Sequence, residues 1–220
     1  MKRFLAALPL ILMSAPLMAN DCVVLLHGLG RTHWSMTVMQ FALANAGYTV
    51  WNKGYPSRSA TVEELSPRVG EAIAECRGLG AGRIHFVTHS MGGILVRAYF
   101  RDHAVPEAGR VVMLAPPNHG SAIVDANRSS AWFRFATGPA GQQLGTSPDS
   151  LPNTLPALPL EVGIVAGRFD GKVSVDSTRL AEMKDQRVVD SAHTFMMNSP
   201  TVIRQVKAFL KDGAFEKSGL

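Results

Sequence analysis

Charge is scarce in this sequence and is not concentrated anywhere. Only 18% of the 220 residues are charged, and no run of five or six basic residues occurs. The net charge is +5, but without Lys2 and Arg3 the chain has 20 basic against 17 acidic residues. Nucleic-acid-binding domains show a clustered basic surface, so no nucleic-acid partner is expected. Disorder is excluded because it requires low hydrophobicity, whereas 46% of the residues are hydrophobic.

Long apolar runs are also lacking, except at the amino terminus. Residues 4–17 carry no charge, follow Lys2 and Arg3, and lead through Ala19 into polar residues. This order is typical of a secretory signal peptide, so we predict that residues 1–19 are removed near Ala19. The alternative, a membrane anchor, needs about 20 apolar residues, and this run is shorter and contains two prolines. We expect a periplasmic or secreted mature chain, residues 20–220, without a membrane span.

Cysteine occurs only twice, at Cys22 and Cys76. An even count in an exported protein favours a disulfide, and we predict the bridge Cys22–Cys76. Neither residue has the neighbours of a reactive thiolate, so cysteine catalysis is not expected.

Short apolar runs alternate with amphipathic stretches along the chain. Helices are predicted over residues 62–76, 92–101 and 201–210, the first with a capping box at Thr61 and the last with Ser199 and Pro200 at its start. This alternation predicts one α/β domain with a mostly parallel sheet and helices on both faces. The strand candidates are residues 22–26, 48–52, 84–88, 111–115, 161–166 and 187–190.

One stretch, residues 116–159, interrupts the alternation. It is rich in Gly, Pro, Ser and Asn and contains Trp132, Phe133 and Phe135. A loop this long in a compact domain is usually functional, and we predict a cap or lid over a binding site. A surface excursion whose aromatic side chains pack down is the alternative. Likewise, Ile123, Val124 and the aromatic residues fit either an apolar acyl pocket or an ordinary core.

A serine stands where the third predicted strand turns into a helix. The sequence reads Thr88-His89-Ser90-Met91-Gly92, so Thr88 replaces the first glycine of the G-x-S-x-G pattern. At such a turn the serine is exposed above a helix amino terminus, which favours developing negative charge. Ser90 is therefore the predicted nucleophile.

A serine nucleophile needs a base and an acid that orients the base. His193 follows the last predicted strand and is the predicted base, with His119 as the alternative. We expect His89, beside the nucleophile, to point elsewhere. Asp170 follows the fifth strand and is the predicted acid; Asp176 is the alternative.

The first predicted strand runs into a glycine-containing loop, His27-Gly28-Leu29-Gly30. We predict that the backbone N–H groups of Leu29 and Met91 form an oxyanion hole. The loop lacks the lysine of a phosphate-binding nucleotide loop.

Taken in order, these segments resemble the α/β-hydrolase superfamily, in particular compact exported bacterial lipases and esterases. The resemblance implies a minimal α/β-hydrolase fold of about six strands, which hydrolyses small-molecule or lipid carboxylic esters through an acyl-enzyme without metal or organic cofactor. A thioesterase or acyltransferase would use the same three residues. Outside enzymes, the alternative is a hydrolase-fold binding protein without turnover. Acyl length, alcohol moiety and oligomeric state stay open.

Overall fold

A six-stranded parallel sheet forms the centre of the structure. The computed structural model describes residues 20–217, so the predicted signal peptide and its cleavage position lie outside the described residues. The strand order is β2-β1-β3-β4-β5-β6, and every neighbouring pair is parallel. This confirms the predicted fold class. The strands are β1 (Cys22–Leu26), β2 (Thr49–Trp51), β3 (Ile84–His89), β4 (Ala108–Leu114), β5 (Val162–Gly167) and β6 (Asp185–Val189).

Helices cover both faces of this sheet. The α-helices of residues 20–217 are α1 (Thr37–Ala44), α2 (Val62–Leu65), α3 (Pro67–Gly78), α4 (Met91–Asp102), α5 (Ala122–Asn127), α6 (Ala131–Gln142), α7 (Leu151–Thr154) and α8 (Pro200–Asp212). Helices α2, α3 and α4 pack on one face, and α1 and α8 pack on the other. No helix in this part of the chain is long and apolar enough to cross a bilayer.

Alternate residues of each strand enter two separate cores. In β1, Val24 and Leu26 belong to the core under α3 and α4, whereas Val23 and Leu25 belong to the core under α1 and α8. A strand that is buried on both faces must be apolar at successive positions. This explains why β1 reads as an unbroken apolar run.

All three predicted helices differ from the structure in their bounds, the one predicted over residues 92–101 by one residue at each end. The stretch predicted as one helix over residues 62–76 forms two, α2 and α3. Thr61 and Glu64 form the predicted capping box, but Pro67, which has no N–H to donate, starts a second helix. Helix α8 begins at Pro200 behind Ser199, as predicted, and ends before Gly213, whose φ is 71°.

A disulfide joins the sheet to its helical cover. Cys22, the first residue of β1, is bonded to Cys76 near the end of α3, with the Cα atoms 5.9 Å apart and the two residues 54 positions apart in sequence. Both cysteines are fully buried.

We predict that removing this bridge destabilises the fold. Closing a loop of this length restricts the unfolded chain by about 4 kcal/mol in the chain-entropy model. Urea unfolding of the Cys22→Ala/Cys76→Ala variant should show a loss of that order. Reduced wild-type protein is the matched control, because it lacks the bond without losing the sulfur atoms. Two reactive thiols in unfolded, unreduced protein would contradict the assignment.

Candidate active site

Ser90 forms the turn between β3 and α4. Its φ of 52° and ψ of −124° lie outside the regions that side-chain-bearing residues ordinarily occupy. The Ser90 N–H donates to the carbonyl of Leu114 at the end of β4, at 2.8 Å, and the Ser90 carbonyl accepts from the N–H of Gly93, at 3.0 Å. These bonds hold Ser90 at the carboxyl edge of the sheet, directly before the amino terminus of α4.

Small residues make room for this turn. A Cβ on Gly92 would lie 2.6 Å from a carbonyl oxygen of β1, and one on Gly28 would lie 2.9 Å from Nδ1 of His89. Thr88, at the place of the usual first glycine, is buried. Its Oγ1 lies 3.3 Å from where Gly93 would carry a Cβ. Thr88 fits because Gly93 has no side chain to occupy the same space.

His193 and Asp170 meet at the same edge of the sheet. Asp170 follows β5 and His193 follows β6. Nδ1 of His193 lies 2.7 Å from Oδ2 of Asp170, and both side chains are at least nine-tenths buried. Because an ionised carboxylate only accepts hydrogen bonds, Nδ1 carries the proton and Nε2 is the free base.

The Asp170 carboxylate is stabilised from both sides. Its Oδ1 accepts hydrogen bonds from the backbone N–H groups of Lys172 and Val173, at 2.8 and 2.9 Å. Burial by itself would raise the pKa of Asp170. The hydrogen bond and charge of His193, together with the two N–H groups, outweigh it and hold that pKa below its usual value. Asp170 is thus negative at neutral pH.

The alternative acid and base lie elsewhere. The Asp176 side chain is 93% exposed and pairs with Arg179 at 3.4 Å. His119 is exposed, and its Nδ1 is hydrogen-bonded to Oδ1 of Asn153 at 2.8 Å. Ser90 and His193 line one cavity, although no hydrogen bond within residues 20–217 joins their side chains.

His89 makes a contact that the sequence did not predict. Its side chain does not point away from the site, because Nε2 lies 2.9 Å from the carbonyl oxygen of His193 and the two rings are 4.9 Å apart. Nε2 is therefore the donor, and Nδ1 is buried without a partner in the described chain. Burial, aided by His193, lowers the pKa of His89 to about 3. A neutral His89 thus fixes the backbone of the loop that carries His193.

The loop after β1 presents one unpaired N–H beside the cavity. Gly30 donates its N–H to Oγ of Ser57 at 3.0 Å, and Arg31 donates to the carbonyl of Gly28 at 3.2 Å. Leu29 lines the cavity, and its N–H has no protein acceptor within residues 20–217. The Met91 N–H, at the start of α4, is equally unpaired in that range, as the first N–H groups of a helix are.

A cavity of about 230 Å³ opens beside Ser90 and His193. The segment between β4 and β5 supplies much of its wall through α5 and α6. Trp132 and Phe135 of α6 do not pack down, since they are 74% and 79% exposed. The apolar lining residues are Leu29, Pro117, Ile123, Val124, Phe133, Ala136, Leu144 and Val173.

Arg97, in the middle of α4, anchors this segment. Its guanidinium is buried and donates to the carbonyls of Asn118, Pro152 and Leu155, at 3.3, 3.0 and 2.8 Å, and to the Asn118 side chain. Burial lowers the pKa of Arg97 to about 10, so it stays protonated at neutral pH. Nothing in the sequence distinguishes this arginine from the exposed ones.

Comparison with known proteins identifies the family. The model of the α/β-hydrolase family matches residues 23–207, most of the chain. The chain belongs to the α/β-hydrolase family. A search of curated proteins found no match. No group of three His, Cys, Asp or Glu side chains in the described part of this hydrolase could hold a metal ion.

Solved lipase and esterase structures share the fold at low identity. Mature Bacillus licheniformis lipase is 17% identical, with a TM-score of 0.65 over 89% of this chain and 91% of that one. Its propeptide form has 16% identity and a TM-score of 0.73 over 94% of this chain, which spans only 53% of that protein. An esterase from Rhodococcus has 15% identity and a TM-score of 0.60, and the match covers 88% of this chain and 91% of the esterase. Identities this low show the fold alone.

We predict that His89 destabilises this α/β hydrolase as the pH falls from about 6.5 towards 4. An unfolded histidine takes up a proton in this range, whereas buried His89, with its pKa of about 3, does not. The unfolded state then binds one more proton, so the free energy of unfolding falls by about 1.4 kcal/mol per pH unit. Urea unfolding of the His89→Gln variant should show a pH slope smaller by this amount. Parallel slopes would mean that folded His89 accepts the proton.

Proposed function

We propose that this α/β hydrolase is a serine esterase or lipase that cleaves carboxylic esters through an acyl-enzyme. The observation that carries the proposal is the buried Asp170–His193 pair, whose His193 lines the same cavity as the strained Ser90 turn. A structural serine would not require a backbone conformation this unfavourable. The solved relatives described as lipases and esterases support the choice of an ester substrate.

In the first half of the reaction, Oγ of Ser90 attacks the acyl carbonyl carbon while Nε2 of His193 takes its proton. Asp170 stabilises the imidazolium formed and keeps the proton of Nδ1 in place. His193 then donates the proton from Nε2 to the departing alkoxide, which leaves as the alcohol. In the second half, water attacks the acyl-enzyme by the same route and releases the acid.

The negative charge of each tetrahedral intermediate falls on the former carbonyl oxygen. The unpaired N–H groups of Leu29 and Met91 are the donors proposed for it. Ser57 supports this arrangement by occupying the neighbouring N–H of Gly30, which fixes the loop. The acyl chain occupies the apolar part of the cavity formed by α5 and α6, which gives residues 116–159 the role of a cap. The disulfide is compatible with export, so we place the enzyme in the periplasm or the medium.

We predict that Ser90→Ala lowers hydrolysis of p-nitrophenyl butyrate by about 10⁴-fold or more, because it removes the nucleophile. Initial rates measure the loss, and mass spectrometry after fluorophosphonate treatment should place the adduct on Ser90. Full activity in Ser90→Ala would contradict the proposal. If wild-type protein cleaves no ester, thioesters and alcohol acceptors test the thioesterase and acyltransferase alternatives. Absence of labelling as well would favour a binding protein.

We predict that Asp170→Asn and Asp176→Asn differ sharply in rate. Asp170→Asn should cost about 10⁴-fold in kcat, because the amide favours the wrong tautomer of His193. Asp176→Asn is the matched control, since its exposed side chain faces solvent, and its kcat should change less than about twofold. Equal losses in the two variants would overturn the assignment of the acid.

A further inference from the structure

Exposed apolar side chains are concentrated around the mouth of the cavity. Of the nine large apolar side chains that are exposed in the described chain, Leu79 alone follows α3 at the opposite edge of the sheet. Of the others, Ile123 lines the cavity, Trp34 and Phe195 line a groove that adjoins it, Trp132 and Phe135 lie on α6, Phe169 precedes Asp170, and Val38 and Phe41 lie on α1. Tryptophan is highly buried on average, so two exposed tryptophans at one edge need an explanation.

Helix α6 carries apolar residues on two sides. Phe133, Ala136 and Thr137 face the cavity. Trp132 and Phe135 stand out from the helix, with their rings 5.9 Å apart. The inward side is explained by the acyl pocket, whereas the outward pair contributes nothing to that pocket.

A groove that adjoins the cavity also carries exposed aromatic side chains among polar ones. It shares Gly30 and Arg31 with the cavity and is lined by Trp34 and Phe195. Trp34 is 72% exposed and Phe195 is 68% exposed. Val38 and Phe41 of α1, the helix that follows, are exposed as well, at 46% and 64%.

The charges at the mouth have one sign. Arg31 and Lys172 line the cavity, and no acidic residue lines the cavity or the groove. Neither cation forms an ion pair within residues 20–217. The Arg31 guanidinium instead lies 6.0 Å from the centre of the Phe195 ring.

We propose that this rim docks the enzyme onto an anionic lipid surface, so that the ester enters from the lipid phase; this rests on the proposed function. Aromatic side chains beside unpaired cations suit the boundary between lipid head groups and acyl chains. A soluble ester would need the cavity alone. A second copy of the chain on this rim would bring the like charges of Arg31 and Lys172 together in a symmetric dimer, which makes it the less favourable occupant.

The test measures binding without turnover. Ser90→Ala protein, purified after export and with its amino terminus defined by mass spectrometry, is mixed with two kinds of vesicle. One contains phosphatidylglycerol and phosphatidylcholine in equal parts, and the other contains phosphatidylcholine only. We expect at least about tenfold stronger cosedimentation with the first kind, because each cation near an anionic surface strengthens binding about fivefold. Because salt screens this attraction, 0.5 M salt should weaken the binding. Tryptophan emission should shift to the blue as Trp34 and Trp132 leave water.

Two further variants in the Ser90→Ala background locate the surface. Trp132→Ser/Phe135→Ser should bind anionic vesicles at least about tenfold more weakly, because two aromatic rings no longer enter the lipid. Leu79→Ser removes an equally exposed apolar side chain at the other edge and should bind as before. Thermal unfolding checks that both variants are folded.

Three results would overturn the proposal. They are Ser90→Ala protein that stays in the supernatant with anionic vesicles, equal loss of binding in the Leu79→Ser control, and a dimer in solution that Trp132→Ser/Phe135→Ser abolishes. Failure of docking would leave hydrolysis of soluble esters standing. Conversely, absence of ester hydrolysis would leave vesicle binding unaffected, since the bound protein carries no nucleophile.

Discussion

The turn at Ser90 is the constraint on which the rest of the site depends. A residue with a side chain at positive φ costs about 1–3 kcal/mol and persists only when its surroundings fix it. Here the surroundings are the hydrogen bond from Ser90 to Leu114 and the close approach of Gly92 to β1. The same packing brings the loop after β1 beside the turn. Relaxing this turn would therefore displace Ser90 and the N–H groups of Leu29 and Met91 together.

The sheet concentrates chemistry at one edge because all its strands are parallel. The loops that follow β1, β3, β5 and β6 carry Leu29, Ser90, Asp170 and His193, residues from 29 to 193 in sequence. The exposed aromatic side chains of the rim lie at this same edge, so the proposed docking surface and the proposed reaction are on one side of the molecule.

The approximate positions of the strands and of the turn at Ser90 follow from local sequence. About ten consecutive residues are enough to predict a buried strand such as β1 or the strand-to-helix turn at Ser90. The contact of His89 with the His193 carbonyl spans 104 residues and depends on how β3 and β6 are placed. Helix α1 was not predicted because apolar residues such as Met39 and Phe41 lie on both its buried and its exposed sides, which removes the periodicity.

Arg97 gives α4 a mechanical role. The residue lies seven positions from Ser90, which is about 10 Å along the helix axis. Helix α4 thus begins directly after Ser90, and at its middle it is hydrogen-bonded to the segment between β4 and β5. Its bonds go to Asn118 before α5 and to Pro152 and Leu155 near the end of the segment, so both ends of the segment are fixed to α4. A substitution that loosened Arg97 would therefore disturb the wall of the cavity and the helix that begins beside Ser90 at the same time.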